Sequence, residues 1–135
     1  MKKTALLSLL LFAFGYLYPQ QAIDVSNLTL KVLDGNLINI TVEITNTSDK
    51  PVSEVAGFID LYDNSDRITE KKELQIVHIY DIPMQPGDTR KRETVTTQHP
   101  NLSGTARFRI THLRFFGEEE IYMICPNCGE LILKE

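Results

Sequence analysis

A strict alternation of apolar and polar side chains from Ile38 to Thr45 constrains the fold more than any other feature of this chain. The apolar set is Ile38, Ile40, Val42 and Ile44, and the polar set is Asn39, Thr41, Glu43 and Thr45. A period of two is typical of a half-buried β-strand, because successive side chains of a strand point to opposite faces. Leu28, Leu30 and Val32 continue the same pattern before the turn at residues 34–36.

The turn between these two segments decides their register. A three-residue loop pairs Val32 with Ile38 and keeps both apolar sets on one face, whereas a two-residue loop sets Lys31 against an apolar position. We therefore predict a hairpin with a three-residue loop, in which Gly35 or Asn36 adopts the positive φ that such loops need.

Further short strands follow, separated by turns rich in Asp, Asn, Pro and Gly. We predict a charged edge strand at residues 68–73, and three further strands at residues 53–62, 75–82 and 89–96. No helical period occurs after the N-terminus. The sequence therefore predicts an all-β fold, an antiparallel immunoglobulin-like two-sheet sandwich of about seven to eight strands.

The last predicted hairpin turns at Gly117-Glu118. In this register Leu113 faces Tyr122 and Ile110 faces Cys125, and the apolar sets of the two strands share one face. His112 then lies on that face as the diagonal neighbour of Cys125.

The N-terminus is typical of an export signal. Lys2 and Lys3 precede an uncharged run to Tyr18, which as a helix spans roughly 22 Å at ~1.5 Å per residue and is short of a ~30 Å bilayer core. We predict that residues 1–22 are a signal peptide or an N-terminal anchor helix. The anchor is kept as an alternative because cleavage after Ala22 favours a small residue at the position that Gln20 occupies. Retention would leave a membrane anchor. The sandwich then covers residues 23–124, and residues 125–135 form a C-terminal knuckle and strand.

Charge and composition exclude two classes of protein. With 42% apolar and 24% charged residues, the chain is not intrinsically disordered. Of 14 basic residues, Lys2 and Lys3 belong to the leader, which leaves 12 against 18 acidic residues and a net charge of −6. A balance this acidic argues against nucleic acid as a partner.

Four separate pieces of the sequence carry a resemblance to a known family. They are Asn46-Thr47-Ser48, Pro51-Val52, Ile59-Asp60-Leu61-Tyr62-Asp63 and Met84-Gln85-Pro86-Gly87-Asp88-Thr89. In this order they resemble the FxLYD domain family of bacteria and archaea, over about Leu28 to Ile124. The resemblance implies an exported immunoglobulin-type sandwich without established catalytic residues. Ile59 stands where the family has Phe, and Phe58 is adjacent.

The motif most suggestive of chemistry is Cys125-Pro126-Asn127-Cys128-Gly129. Two thiolates at this spacing resemble half of a four-ligand zinc site. The candidate metal ligands are Cys125, Cys128 and His112, with zinc as the cofactor and a fourth ligand from water, a carboxylate or another chain. Alternatively, two knuckles could meet across a two-fold axis and form a homodimer.

Other uses of the two cysteines stay open. A thioredoxin-like redox pair needs a helix N-terminus, and both flanks of this motif are strand-like. A local disulfide that closes the turn after export fits an oxidising compartment. His112 is then an ordinary strand histidine.

We expect a non-enzymatic, exported binding or structural module in the periplasm, at the cell surface or secreted, because no catalytic constellation occurs in the sequence. Its partner would be an unidentified protein or envelope component, and the cysteine pair would be a metal or assembly staple. The alternative is a metal-binding or thiol-redox protein whose functional site is Cys125 and Cys128.

Overall fold

Eight β-strands form two antiparallel sheets in the computed structural model, which describes residues 21–135. The strands are β1 (Ile23–Leu33), β2 (Leu37–Asn46), β3 (Val52–Asp63), β4 (Ile68–Val77), β5 (Thr89–Thr97), β6 (Leu102–Phe115), β7 (Tyr122–Ile124) and β8 (Leu131–Leu133). The predicted leader lies outside the described residues except for its last two positions. From residue 21 onward, no helix is long and apolar enough to cross a bilayer.

The order of the strands confirms the predicted sandwich. One sheet has the order β1-β2-β5, and the other has the order β4-β3-β6-β7-β8. An immunoglobulin-type sandwich likewise places its first, second and fifth strands in one sheet and its third and sixth in the other. The core lies between the sheets and contains fully buried side chains from both, among them Ile40, Val42, Ile44, Val55, Ile59 and Leu61.

The first hairpin has the predicted register. Val32 pairs with Ile38, and the loop has three residues, in which Gly35 and Asn36 both have positive φ (77° and 62°). Val32 is nevertheless 64% exposed, because the tip of the hairpin extends beyond the buried core.

Two predicted strands are a single strand, so the prediction of separate strands at 68–73 and 75–82 is wrong. β4 runs without interruption from Ile68 to Val77 and forms an edge of the five-stranded sheet, as predicted for its first half. It ends because residues 78–81 form a turn, in which the Asp81 carboxylate accepts the His78 backbone N–H at 2.9 Å. Ile79, Tyr80 and Ile82 are consequently exposed rather than part of a strand.

The last hairpin forms only in part. Leu113 pairs with Tyr122 as predicted, but β7 ends at Ile124, and the pairing of Ile110 with Cys125 is wrong. The backbone N–H of Cys125 donates instead to the Glu130 carbonyl at 2.9 Å, and β8 pairs with the outer edge of β7. The cysteine turn therefore folds the chain back before β7 can follow β6.

A β-bulge in β6 changes which of its residues point into the core. Ala56 pairs with His112 and Gly57 with Ile110, so Thr111 is the extra residue. An extra residue reverses the alternation of faces. Ile110 and Leu113 on either side of the bulge are both buried, and His112 lies on the outer face instead of sharing a face with Ile110 as predicted.

Gly57 makes this bulge sterically feasible. A Cβ at this position would lie 2.8 Å from the Arg109 carbonyl carbon and 3.0 Å from the Ile110 Cα, and closer still to the Arg109 carbonyl oxygen. All three are backbone atoms, which cannot rotate away. β3 and β6 approach each other here at a distance that only glycine allows.

A buried asparagine joins three segments at one end of the sandwich. Asn46 is 1% exposed, and its side-chain Nδ2 donates to the Lys50 carbonyl at 2.8 Å and to the Met84 carbonyl at 2.9 Å. Its Oδ1 accepts the Ser48 backbone N–H at 3.0 Å. The end of β2 is thereby tied to both turns that flank it in space.

Candidate functional site: the cysteine turn and the groove along β6

Cys125 and Cys128 are joined by a disulfide in the turn between β7 and β8, with their Cα atoms 5.4 Å apart. Gly129 has a φ of 72° and donates its N–H to the Cys125 carbonyl at 2.9 Å. A positive φ is readily available to glycine, which explains its place after the second cysteine. Of the alternatives predicted for the pair, the local disulfide is the state present in this structure.

The third predicted zinc ligand has another partner. Nε2 of His112 contacts Oε2 of Glu54 on the outer face of the sheet, and Nη1 of Arg114 lies 3.9 Å from the second carboxylate oxygen of Glu54. Within residues 21–135, no three His, Cys, Asp or Glu side chains are grouped as a metal ion requires. Disulfide sulfurs carry no thiolate charge, so zinc binding by Cys125 and Cys128 remains a prediction for the reduced chain.

A groove of about 520 Å³ begins at the cysteine turn. Cys125, Pro126 and Asn127 close one end of it. One wall is the first half of β1, from Ile23 to Leu28, and the other is β6 from Ala106 to Ile110. Because the cysteine turn ends β7, it also determines where this groove begins.

The groove follows the edge of β6 and extends onto the outer face of the sheet. Five consecutive residues of β6, Ala106 to Ile110, line it, although alternate residues point to opposite faces of the sheet. The groove therefore passes around the edge of β6, and it also takes in Asp60 and Tyr62 of β3 and Ile68 of β4 on the outer face of the sheet. In the described part of the chain, β3 occupies the other edge of these residues, and β7 reaches only as far as Leu113.

An ion pair with a buried carboxylate lines the groove. Asp60 is 1% exposed, and its carboxylate accepts hydrogen bonds from both Nε and Nη2 of Arg109, the second at 3.0 Å. The hydrogen bond to Asp60 raises the pKa of Arg109, whose guanidinium also lies 5.9 Å from the centre of the Phe58 ring. Arg109 is thus fixed in position and its charge is matched.

Arg107 is different. It is exposed, it lines the groove, and it has no ion-pair partner among the side chains of residues 21–135. The groove contains one carboxylate and two guanidinium groups, so its net charge is +1 in a domain whose net charge is −6.

Two residues carried sequence signals for this site that the strand pattern alone did not use. Pro126 cannot donate a ladder hydrogen bond, so a strand paired with β6 could not continue past Cys125 without a break. Gly57 within an otherwise regular strand is typical of a bulge or a close approach of two backbones. Asp60 gave no such indication, because its burial depends on Arg109 and Phe58 in space.

Comparison with known proteins supports the architecture. No family model matches the chain, and no curated protein matches it. The solved structure of IrmA from Escherichia coli aligns with a TM-score of 0.51 and 12% identity, over 86% of this chain and 86% of that one. This likeness is one of fold alone.

Proposed function

We propose that this chain is a non-catalytic, exported binding module, in which the groove along β6 is the binding surface and the Cys125–Cys128 disulfide is a structural staple. The groove is the observation that carries the proposal. Its volume is that of typical ligand sites, and apolar side chains such as Ile23, Val25 and Phe108 dominate its lining, beside few charged groups.

Two features support export. A short basic start followed by an uncharged apolar run within residues 1–22 is typical of a signal peptide or anchor. A disulfide is compatible with an oxidising compartment. The resemblance to FxLYD domains points the same way. N-terminal sequencing of the protein from separated cell fractions tests export and distinguishes a cleaved leader from a retained anchor.

The disulfide supports a staple role because of its position. It closes the β7–β8 turn at the end of the groove, and it is not at a helix N-terminus, where a dipole would activate a thiol. The exposure of Cys128 favours one alternative, a metal or thiol-redox function. Thiol counting with metal analysis on the exported protein decides between them: stoichiometric zinc or disulfide exchange with a peptide substrate would support the alternative.

Filling the groove tests the binding surface. The probe is anilinonaphthalene sulfonate, an anionic aromatic molecule that matches the apolar walls and the exposed guanidinium of Arg107. We expect NMR shift changes confined to the groove and loss of binding in Ala106→Trp. Ala56→Trp is the matched control, because Ala56 is also half-buried and lies outside the groove on β3. Equal binding by both folded variants would refute the assignment of the surface.

A further inference from the structure

We propose that the groove takes an extended peptide, which adds as a strand to the edge of β6 and carries apolar side chains at alternate positions with a carboxylate facing Arg107. This inference rests on the proposed function, since it names the occupant of the same groove. The occupant is a polypeptide of that chemistry and not a second copy of the chain.

The free edge of β6 supplies the main-chain part of the argument. Between Ala106 and Thr111, every second residue directs its N–H and C=O away from β3 and toward the groove. These groups have no backbone partner within residues 21–135. An unpaired row of this kind is a template for an added strand.

The opposite wall does not compete as a template. No strand of the described residues pairs with the outer edge of β1 either, but the ladder of β1 with β2 shifts register between Val25 and Asn27, so an extra residue interrupts it. A bulge twists an edge and disrupts regular pairing. β6 is regular from Ala106 to Ile110, directly opposite, and its bulge comes only at Thr111.

The two faces of the groove specify the side chains of the bound strand. Toward the sandwich interior the lining is apolar and includes Val25, Leu28, Phe108 and Ile110. Toward the outer face it presents Arg107, beside the paired Arg109 and Asp60 and the side chains of Tyr62 and Ile68. Because strand side chains alternate, a bound peptide directs one set of residues to the apolar side and the other set to the guanidinium.

Charge selects the partner. Asp60 neutralises Arg109, whereas no side chain of residues 21–135 matches the positive charge of Arg107 in this acidic domain. A carboxylate on the peptide would complete this pair. Self-pairing of two β6 edges around Phe108 would set Arg107 of each copy opposite Arg109 of the other copy. Asp60 already matches the charge of that Arg109, so this contact offers Arg107 no carboxylate of its own.

The test uses protein purified after export, with its N-terminus established by mass spectrometry. The probes are synthetic peptides of about nine residues, in which Val and Ile alternate with Thr and the central polar position is Glu, Ser or Lys. We expect the Glu peptide to bind about fivefold more tightly than the Lys peptide, the order to reverse in Arg107→Glu, and binding to be lost in Ala106→Trp.

Two measurements distinguish strand addition from other binding. Amide hydrogen exchange should slow at alternate residues of β6 between Ala106 and Thr111 when the Glu peptide is bound. Methylation of the peptide amides that face β6 should weaken binding at least about tenfold, and methylation of the alternate amides should not.

Each other result overturns the proposal. If none of the peptides binds, or if they bind without slower exchange in β6, the strand-addition proposal fails, while a groove that still binds the naphthalene probe keeps the proposed function. If the β6 amides are already protected in the free protein, by a dimer detected in sedimentation or by the chain's own first residues, the named occupant is wrong. If Ala106→Trp affects neither probe, both proposals fail.

Discussion

Replacing Gly57 with alanine tests the closest approach in the fold. The added Cβ would lie 2.8 Å from the Arg109 carbonyl carbon and 3.0 Å from the Ile110 Cα. Ordinary contacts between such carbon atoms are about 3.5–4.0 Å, so β3 and β6 must separate by roughly 1 Å at the bulge. Hydrogen bonds of about 2.9 Å between the strands would lengthen beyond a useful range.

The cost follows from what that separation breaks. Loss of about two ladder hydrogen bonds at ~1 kcal/mol each, together with ~1–3 kcal/mol for forcing a methyl group into a packed site, gives about 3–5 kcal/mol. Reduced entropy of the unfolded chain returns up to ~1 kcal/mol. We expect Gly57→Ala to lower the free energy of unfolding by about 3 kcal/mol and the melting temperature by roughly 10–15 °C.

Urea unfolding followed by circular dichroism measures this change. Gly117→Ala is the matched control, since a Cβ there meets nothing within 4 Å and its φ of 80° costs a non-glycine residue only ~1 kcal/mol or slightly more. If Gly57→Ala destabilises the protein no more than Gly117→Ala does, the close approach and the register of β3 against β6 are both wrong.

Three other predictions follow from the same structure. Cys128→Ser should lower the unfolding free energy by roughly 2 kcal/mol, the chain-entropy value for so short a loop, and urea titration would show no change if the cysteines are free thiols. Ile44→Asp should lower the free energy of unfolding by several kcal/mol, because Ile44 is fully buried. Val32→Asp, at the exposed hairpin tip, should leave the melting temperature nearly unchanged, and similar effects at both sites would refute the facing of β2. The hydrogen bond from the His78 backbone N–H holds the pKa of Asp81 below the ordinary value of an aspartate, so ionised Asp81 stabilises the fold and this stability is lost as pH falls through the lowered pKa. Asp81→Asn should therefore flatten the decline of melting temperature below about pH 4.

The sequence predicted those parts of the fold that depend on local pattern. The register of the β1–β2 hairpin followed from the phase of Val32 and Ile38 around one loop, because a slip by one residue would turn the whole apolar set to solvent. Edge position of β4 followed from its run of charges at residues 70–73.

The parts that failed depend on interactions in space. The bulge at Thr111 comes from the contact of β6 with Gly57, and no alternation within β6 reveals it, so His112 was expected on the wrong face. β7 ended early because Cys125 donates its N–H to Glu130, which the predicted hairpin had not included. The groove depends on this early end of β7 and on the approach of β1 to β6, and no single segment of the sequence could indicate it.

Asn46 has a consequence for how this protein can be produced. Asn46-Thr47-Ser48 is an acceptor triplet for N-linked glycans, which a eukaryotic secretory host attaches to unfolded chains. A sugar on Nδ2 would occupy the atom that donates to both the Lys50 and Met84 carbonyls, and it could not fit where Asn46 is buried. Secretion from yeast or mammalian cells is therefore expected to yield misfolded material, which bacterial expression avoids.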